Sequence, residues 1–409
     1  MLSRRQFIER TSLVSLYPVV PSLLGKIAHA ASAERDGRVL VVIQLDGGND
    51  GINTVVPFGD DGYGRNRESL RLDAEKLHKL NDHVGLHPQM NAAKELFDDG
   101  RLTIVQGVGY PNPDKSHFRS MRIWQTARLD DVDHNSYGWL GRALDTQKRP
   151  HNAGQPGAIY VGPEEAPIAI WGRRAEAMTL TRLDDLKLPF AASQLIPAPQ
   201  SVATSDSSDD KLSLFTTRQV LSAYAAADEF QRQTQAAGDR SSAKYPSTQL
   251  AAHLSLISQL IRSGSAARVF YSTQSGYDTH AAQLYTHARL LREFSDAVKA
   301  FLDDLKSVGL DDRVIVLAFS EFGRRVKENA SQGTDHGAAG PVFLAGSKTA
   351  DGLVGPTPDL SDLDDGDLKI SIDLREIYAA VLEDWLGVDS SEVLGGSFAK
   401  TAILRAQRR

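Results

Sequence analysis

"RVLVVIQLDGGNDG" spans residues 38–51 and decides the fold. A nearly unbroken apolar run this short reads as a strand buried on both faces, and the glycine-rich turn after it reads as a loop. Three later stretches repeat the pattern. "LTIVQGV" (102–108) runs into "GYPNPDKSHF", "ARVFYSTQ" (267–274) into "SGYDTH", and "RVIVLAF" (313–319) into "SEFGRRVKENASQGTDHGAAGP". Between the runs lie helical periods. The clearest covers 280–306, where Leu284, Leu291, Phe294, Val298, Phe301 and Leu305 recur every three or four residues. Asp373 in "SIDLREIYAAVLEDWLG" reads as the N-cap of a last helix. Strands alternating with helices predict an α/β fold, a doubly wound, mainly parallel sheet flanked by helices.

The polar stretches at 203–211 and 236–247 predict mobile loops around a helix near 212–235, hence a small helical cap inserted at about 200–265 in a single domain of 36–400. Upstream, "SRRQFIER" places Arg4-Arg5 before an apolar stretch and an Ala28-His29-Ala30 cleavage-type site. This pattern predicts a twin-arginine signal peptide over 1–33, recognised by the twin-arginine export machinery, and a periplasmic mature protein. Pro18, Pro21 and Lys26 break the stretch, so the mature form is expected to have no membrane span.

Of the 409 residues, 41% are hydrophobic and 24% charged, enough apolar material for a sizeable core. A net charge of −6 gives no reason to expect a nucleic acid partner. The chain has no cysteine, which excludes disulfides, thiolate zinc sites and iron–sulfur clusters. Any metal must be held by Asp, Glu and His.

Ligands of open α/β sheets bind beyond the carboxyl ends of the strands. Four such ends here carry chemistry: Asp46 and Asp50; Ser116 and His117; Asp278 and His280; Glu321 with Asp335 and His336. Carboxylates and imidazoles are the donors a hard or borderline divalent cation takes where no thiolate is available. Each also has a plainer reading. Asp46 and Asp50 suit turns, Asp278 or Thr279 suits a helix cap, and Glu321 suits an ion pair with Arg324 or Arg325. Asp278 and His280, two apart, face one way on an extended segment. Asp114 reads as the cap of a helix whose first turn presents Ser116 and His117 to an anion, with Arg119 one turn on. His87 and His134 are loop histidines with weaker claims. His287 lies about 10 Å along a helix from His280 and shares no ion with it.

The ordered set "LDGGNDGINTVVP", "LHPQM", "SHFRSM", "GWLGRAL", "GYDTH", "SEFGRRVKEN", "GTDHG" and "IDLREIYAAVLEDWLG" resembles the exported domain-of-unknown-function family 1501 across residues 36–390. That family is similar to the alkaline-phosphatase-like superfamily of phosphatases, sulfatases and phosphoglycerate mutases. The resemblance implies a nucleophile at Ser116, with His117 as base or ligand and Arg119 as anion clamp. It also implies a site for divalent metal (Zn, Mn, Mg or Ca) built from Asp46, Asp50, Asp278, His280, Glu321, Asp335 and His336. Three departures accompany it. Glu321-Phe322 stands where an Asp-His pair is usual, no histidine comes after His336, and the Cys/Ser-x-Pro-x-Arg motif of formylglycine sulfatases is missing. The expected function is metal-dependent hydrolysis of a small anionic phosphate or related ester. The alternative is a non-catalytic protein that binds an envelope polymer.

Overall fold

Each of the four apolar runs becomes a strand of one nine-stranded sheet. The computed structural model describes residues 37–130, 136–147, 156–175, 177–182 and 243–405. The expected signal segment, His134 and residues 200–242 of the expected cap lie outside that set. The strands are β1 (Val39–Asp46), β2 (Leu102–Gly109), β3 (Ala158–Val161), β4 (Ala177–Leu180), β5 (Val269–Ser275), β6 (Val314–Phe319), β7 (Gly340–Ala345), β8 (Gly352–Val354) and β9 (Ile372–Asp373). Their order is β8-β2-β7-β6-β1-β5-β3-β4, with β9 also pairing β2.

All of these pairings are parallel except those of β7, which runs against both of its neighbours. That reversal has a consequence for the site. The segment entering β7 begins at the same end of the sheet where β1, β2, β5 and β6 finish. Residues 320–339 therefore start and finish at that end, where His336 meets the segments that follow β2 and β5 and Asp335 meets His280.

Both faces of the sheet are covered, which is why its strands read as unbroken apolar runs. The longer helices are α1 (Asn91–Asp98), α2 (His117–Thr126), α3 (Trp139–Thr146), α4 (Gln249–Arg262), α5 (Gln283–Ser307) and α6 (Leu374–Ala380). Val39, Val41, Ile43 and Leu45 pack beneath α1, α4 and α5. Leu40 and Val42 point the other way, into the core shared with α2, α3 and α6. Since α4 belongs to the main layer, residues 249–262 are part of the sheet's cover. Asp373 caps α6 in a full capping box with Glu376.

The helix α5 departs from its expected face at one end. Leu291, Phe294, Val298, Phe301 and Leu305 are buried as the period requires, but Leu284 is 41% exposed. The buried stripe continues instead through the polar Gln283 and His287. At the site end of the sheet the core turns polar. No described helix is long and apolar enough to cross a membrane.

Candidate metal centre

Three loops close on one another where β1, β5 and β6 end. Gly47 has φ +119°, and a Cβ there would stand 2.4 Å from the Asp278 backbone nitrogen, so only glycine lets β1's exit loop pass under Asp278. A Cβ on Gly333 would stand 2.2 Å from the His280 carbonyl carbon. These contacts bring 278–280 against 333–336. The extended segments alternate as the spacing predicts. Tyr277 and Thr279 are buried, while Asp278 and His280 turn outward.

His117, Asp278 and His336 each offer one ligating atom, and these atoms lie within 4.8 Å of one another. Asp278 Oδ1 is the common point. It stands 3.5 Å from His117 Nε2, 3.3 Å from His336 Nε2 and 3.1 Å from His280 Nε2. Donors bound about 2.0–2.2 Å from a tetrahedral ion stand roughly 3.3–3.6 Å apart, so these separations suit one ion.

The protonation pattern points the same way. His336 Nδ1 lies 2.7 Å from the Lys115 carbonyl, which only accepts, so Nδ1 carries the hydrogen and Nε2 presents a lone pair. Burial pushes the His336 pKa below its ordinary value, which keeps the ring neutral. His117 Nδ1 donates to Glu321 Oε1 at 2.7 Å, and His280 Nδ1 faces Asp335 Oδ1 at 3.3 Å. His280 Nε2 and His336 Nε2 are 2.9 Å apart. Two lone pairs that close repel unless a proton or a cation lies between them. His117 Nε2 is buried and hydrogen-bonded to nothing. Imidazoles whose far nitrogen is fixed by an acceptor are typical metal ligands, so the residues present fit a divalent ion.

The other expected ligands sit elsewhere. Glu321 is buried behind His117. Its Oε1 also accepts from the Gly47 N–H at 2.9 Å, and Ser320 Oγ lies 2.9 Å from its Oε2. Asp335 stands behind His280 and accepts from Asn329 Nδ2 at 3.1 Å. Asp46 accepts from Gln44 Nε2 at 3.1 Å and lies outside the cluster. Burial first, then the Glu321 charge, raises its pKa. Asp50 is the clearest correction. It is fully buried, and Arg67 grips both its oxygens at 2.5 and 2.9 Å. Burial, the largest influence, pushes its pKa up, but the charge and hydrogen bonds of Arg67, helped by His287 and the Gln283 bond, together hold the carboxyl below its usual range. Its oxygens accept from Arg67 and Gln283, and it is not part of the cluster.

Ser116 is the N-cap of α2, at the site end of the sheet, and its side chain makes no capping bond. Asp114, expected as the cap, instead accepts from the Ser116 N–H at 2.8 Å. The neighbours of Ser116, Lys115 and His117, both contact the cluster. Arg119 is exposed and pairs with Asp114 at 3.3 Å. Arg324, read from the sequence as an ion-pair partner for Glu321, is 2% exposed. Its donors go to the carbonyls of Gly47, Gly48, Tyr277 and Thr334 and to Asp278 Oδ1 at 2.7 Å. It braces the loops and is not open to substrate. Neither Asp278 nor Thr279 caps α5, whose N-cap is Ala282. His87 and His287 belong to a buried cluster beneath the site, where burial lowers their pKa values to about 3 and about 4.

Sheet and cluster together define an α/β protein with a histidine–carboxylate candidate metal centre at its strand ends. The chain belongs to the family described as "Protein of unknown function (DUF1501)", whose model matches residues 37–398. Among solved structures it is similar to the PsFucS1 sulfatase from Pseudoalteromonas sp., at 13% identity and TM-score 0.41, covering 98% of this chain and 81% of that one. It is also similar to the C-terminal periplasmic domain of EcEptC from Escherichia coli, at 11% identity, TM-score 0.38 and 90% coverage of each chain. A third is the phosphonate monoester hydrolase of Agrobacterium radiobacter, at 10% identity and TM-score 0.35, with 88% of this chain and 78% of that one covered. At these scores the likenesses carry no argument about chemistry. No curated protein matches the sequence.

Proposed function

We propose that the protein is an exported, metal-dependent hydrolase of phosphate or related esters. The observation that supports this most is the set of three imidazoles, each anchored at Nδ1, whose Nε2 atoms surround Asp278 Oδ1. A divalent ion held by His117, Asp278 and His336, with His280 beside them, would supply Lewis-acid stabilisation of charge on the ester oxygens. Nitrogen-rich donors favour zinc over magnesium or calcium. Ser116 Oγ, at the N-terminus of α2, is the proposed nucleophile. Its bond to phosphorus forms as the bond to the leaving oxygen breaks, the serine proton passing through solvent to the departing alcohol; water then attacks phosphorus, and its proton returns to Ser116 Oγ as phosphate leaves. The first-turn N–H groups of α2 face the anion. Glu321 holds His117 in orientation through Nδ1.

Purified protein supplied with Zn, Mn, Mg or Ca should hydrolyse an aryl phosphate or aryl sulfate at a rate that tracks metal content. Ser116→Ala should lower turnover by several orders of magnitude, toward the roughly millionfold loss seen when a serine nucleophile is removed, with metal content kept. If Ser116→Ala retains full activity, the serine has no such role. Metal binding without turnover of either ester would favour the alternative, a protein that binds an envelope polymer through a structural ion.

Export rests on Arg4-Arg5. Changing both to Lys should leave the precursor in the cytoplasm, as fractionation and blotting would show. Normal processing of the double variant would count against the twin-arginine route.

A further inference from the structure

Each of the two ligand-bearing loops hides a threonine behind its outward side chains. Thr279 lies between Asp278 and His280, and Thr334 precedes Asp335 and His336; both are buried. Their hydroxyls donate to the same atom, Gln283 Oε1, at 2.9 and 2.7 Å. The other end of that amide, Gln283 Nε2, donates to Asp50 Oδ2 at 2.5 Å. Because a carboxylate only accepts, Asp50 fixes which way the amide points and leaves Oε1 facing the threonines. Asp50 is in turn fixed by the two bonds from Arg67, which also holds the carbonyls of Arg325 and Val326 at 3.0 and 2.7 Å.

We propose that Gln283 is a positioning residue, anchored by Asp50 and Arg67, that sets the spacing of the 278–280 and 334–336 loops for metal binding. The proposal rests on the reading of this site as a metal centre. Its physical basis is the tolerance of such sites. Ligands must be held to about 0.5 Å, and these loops are joined from behind by one buried acceptor. All five residues of the chain Arg67–Asp50–Gln283–Thr279/Thr334 are 5% exposed or less, so water does not replace a lost partner. This also accounts for Gln283, one of the two polar residues at the start of the buried stripe of α5.

The test strips purified wild-type and Gln283→Met proteins with chelator and titrates each with Zn2+ and Co2+. Methionine keeps the volume and removes all three hydrogen bonds. The expected result is Zn2+ affinity about ten- to a hundredfold weaker, and a Co2+ absorption band of altered shape in the folded fraction. A role confined to stability would lower the melting temperature but leave that band unchanged. Thr334→Val, which deletes one hydroxyl, serves as a second variant should Gln283→Met fail to fold, and a smaller loss in the same direction is expected. Wild-type affinity and an unchanged Co2+ band in the folded variants overturn the positioning role alone. Failure of the wild-type protein to bind either metal overturns the metal reading, and the positioning role with it.

Discussion

Asp50→Ala is expected to destabilise the protein by about 3–5 kcal/mol, the usual result of breaking a buried ion pair from one side. Asp50 and Arg67 are both inaccessible, and the alanine leaves a guanidinium without its counter-charge in the core. Urea unfolding at neutral pH measures the loss. The double change Asp50→Leu with Arg67→Met should recover part of it, since two apolar groups leave no orphaned charge. A single-variant loss under about 1 kcal/mol, the range of exposed pairs, would show the pair to be solvated. The pH dependence has a definite sign. The Asp50 pKa is lowered in the folded state, so its contribution is complete above the unfolded value, about 3.9, and disappears as pH falls through the folded pKa. The gap between wild type and Asp50→Ala should therefore narrow only below about pH 4.

His336→Ala should weaken Zn2+ binding by more than the ten- to hundredfold that loss of an outer partner costs, with the fold retained. His336 is both a member of the closest cluster and the ring that burial keeps neutral, with its tautomer selected by the Lys115 carbonyl. His117→Ala should behave similarly. His280→Ala should cost less, because His280 reaches Asp278 and His336 but is not one of that trio. Calorimetric titration with Zn2+, alongside elemental analysis, ranks the three. Equal affinity in wild type and His336→Ala would place the ion elsewhere. Protons compete for the same nitrogens, and the bond to Glu321 raises the His117 pKa above its ordinary 6.5. Affinity should therefore continue to rise with pH above that value.

Much of the fold was legible in the chain because its signals are local. Apolar runs buried on both faces mark strands without reference to anything distant, and a period of three to four marked α5. Two-residue alternation placed Asp278 and His280 on one side of their segment, where the structure also has them. The loop residues after each strand showed where chemistry collects, since parallel strands deliver their C-terminal loops to one end.

The sequence alone thus determined the layered α/β class, the strand ends that meet, and the imidazole- and carboxylate-only chemistry that a chain without cysteine permits. Tertiary structure decided which of those groups turn toward a common point. Asp46 and Asp50 look equivalent among their glycines, yet Arg67, 17 residues on from Asp50 and unmarked by any motif, takes one carboxylate wholly into the core. Glu321 and His117 are 204 residues apart, and only their 2.7 Å contact makes one the brace of the other. Gln283 gave no local sign of joining two loops. A carboxylate's role depends on which donors satisfy it after burial, and those donors arrive from distant parts of the chain only when the sheet has assembled.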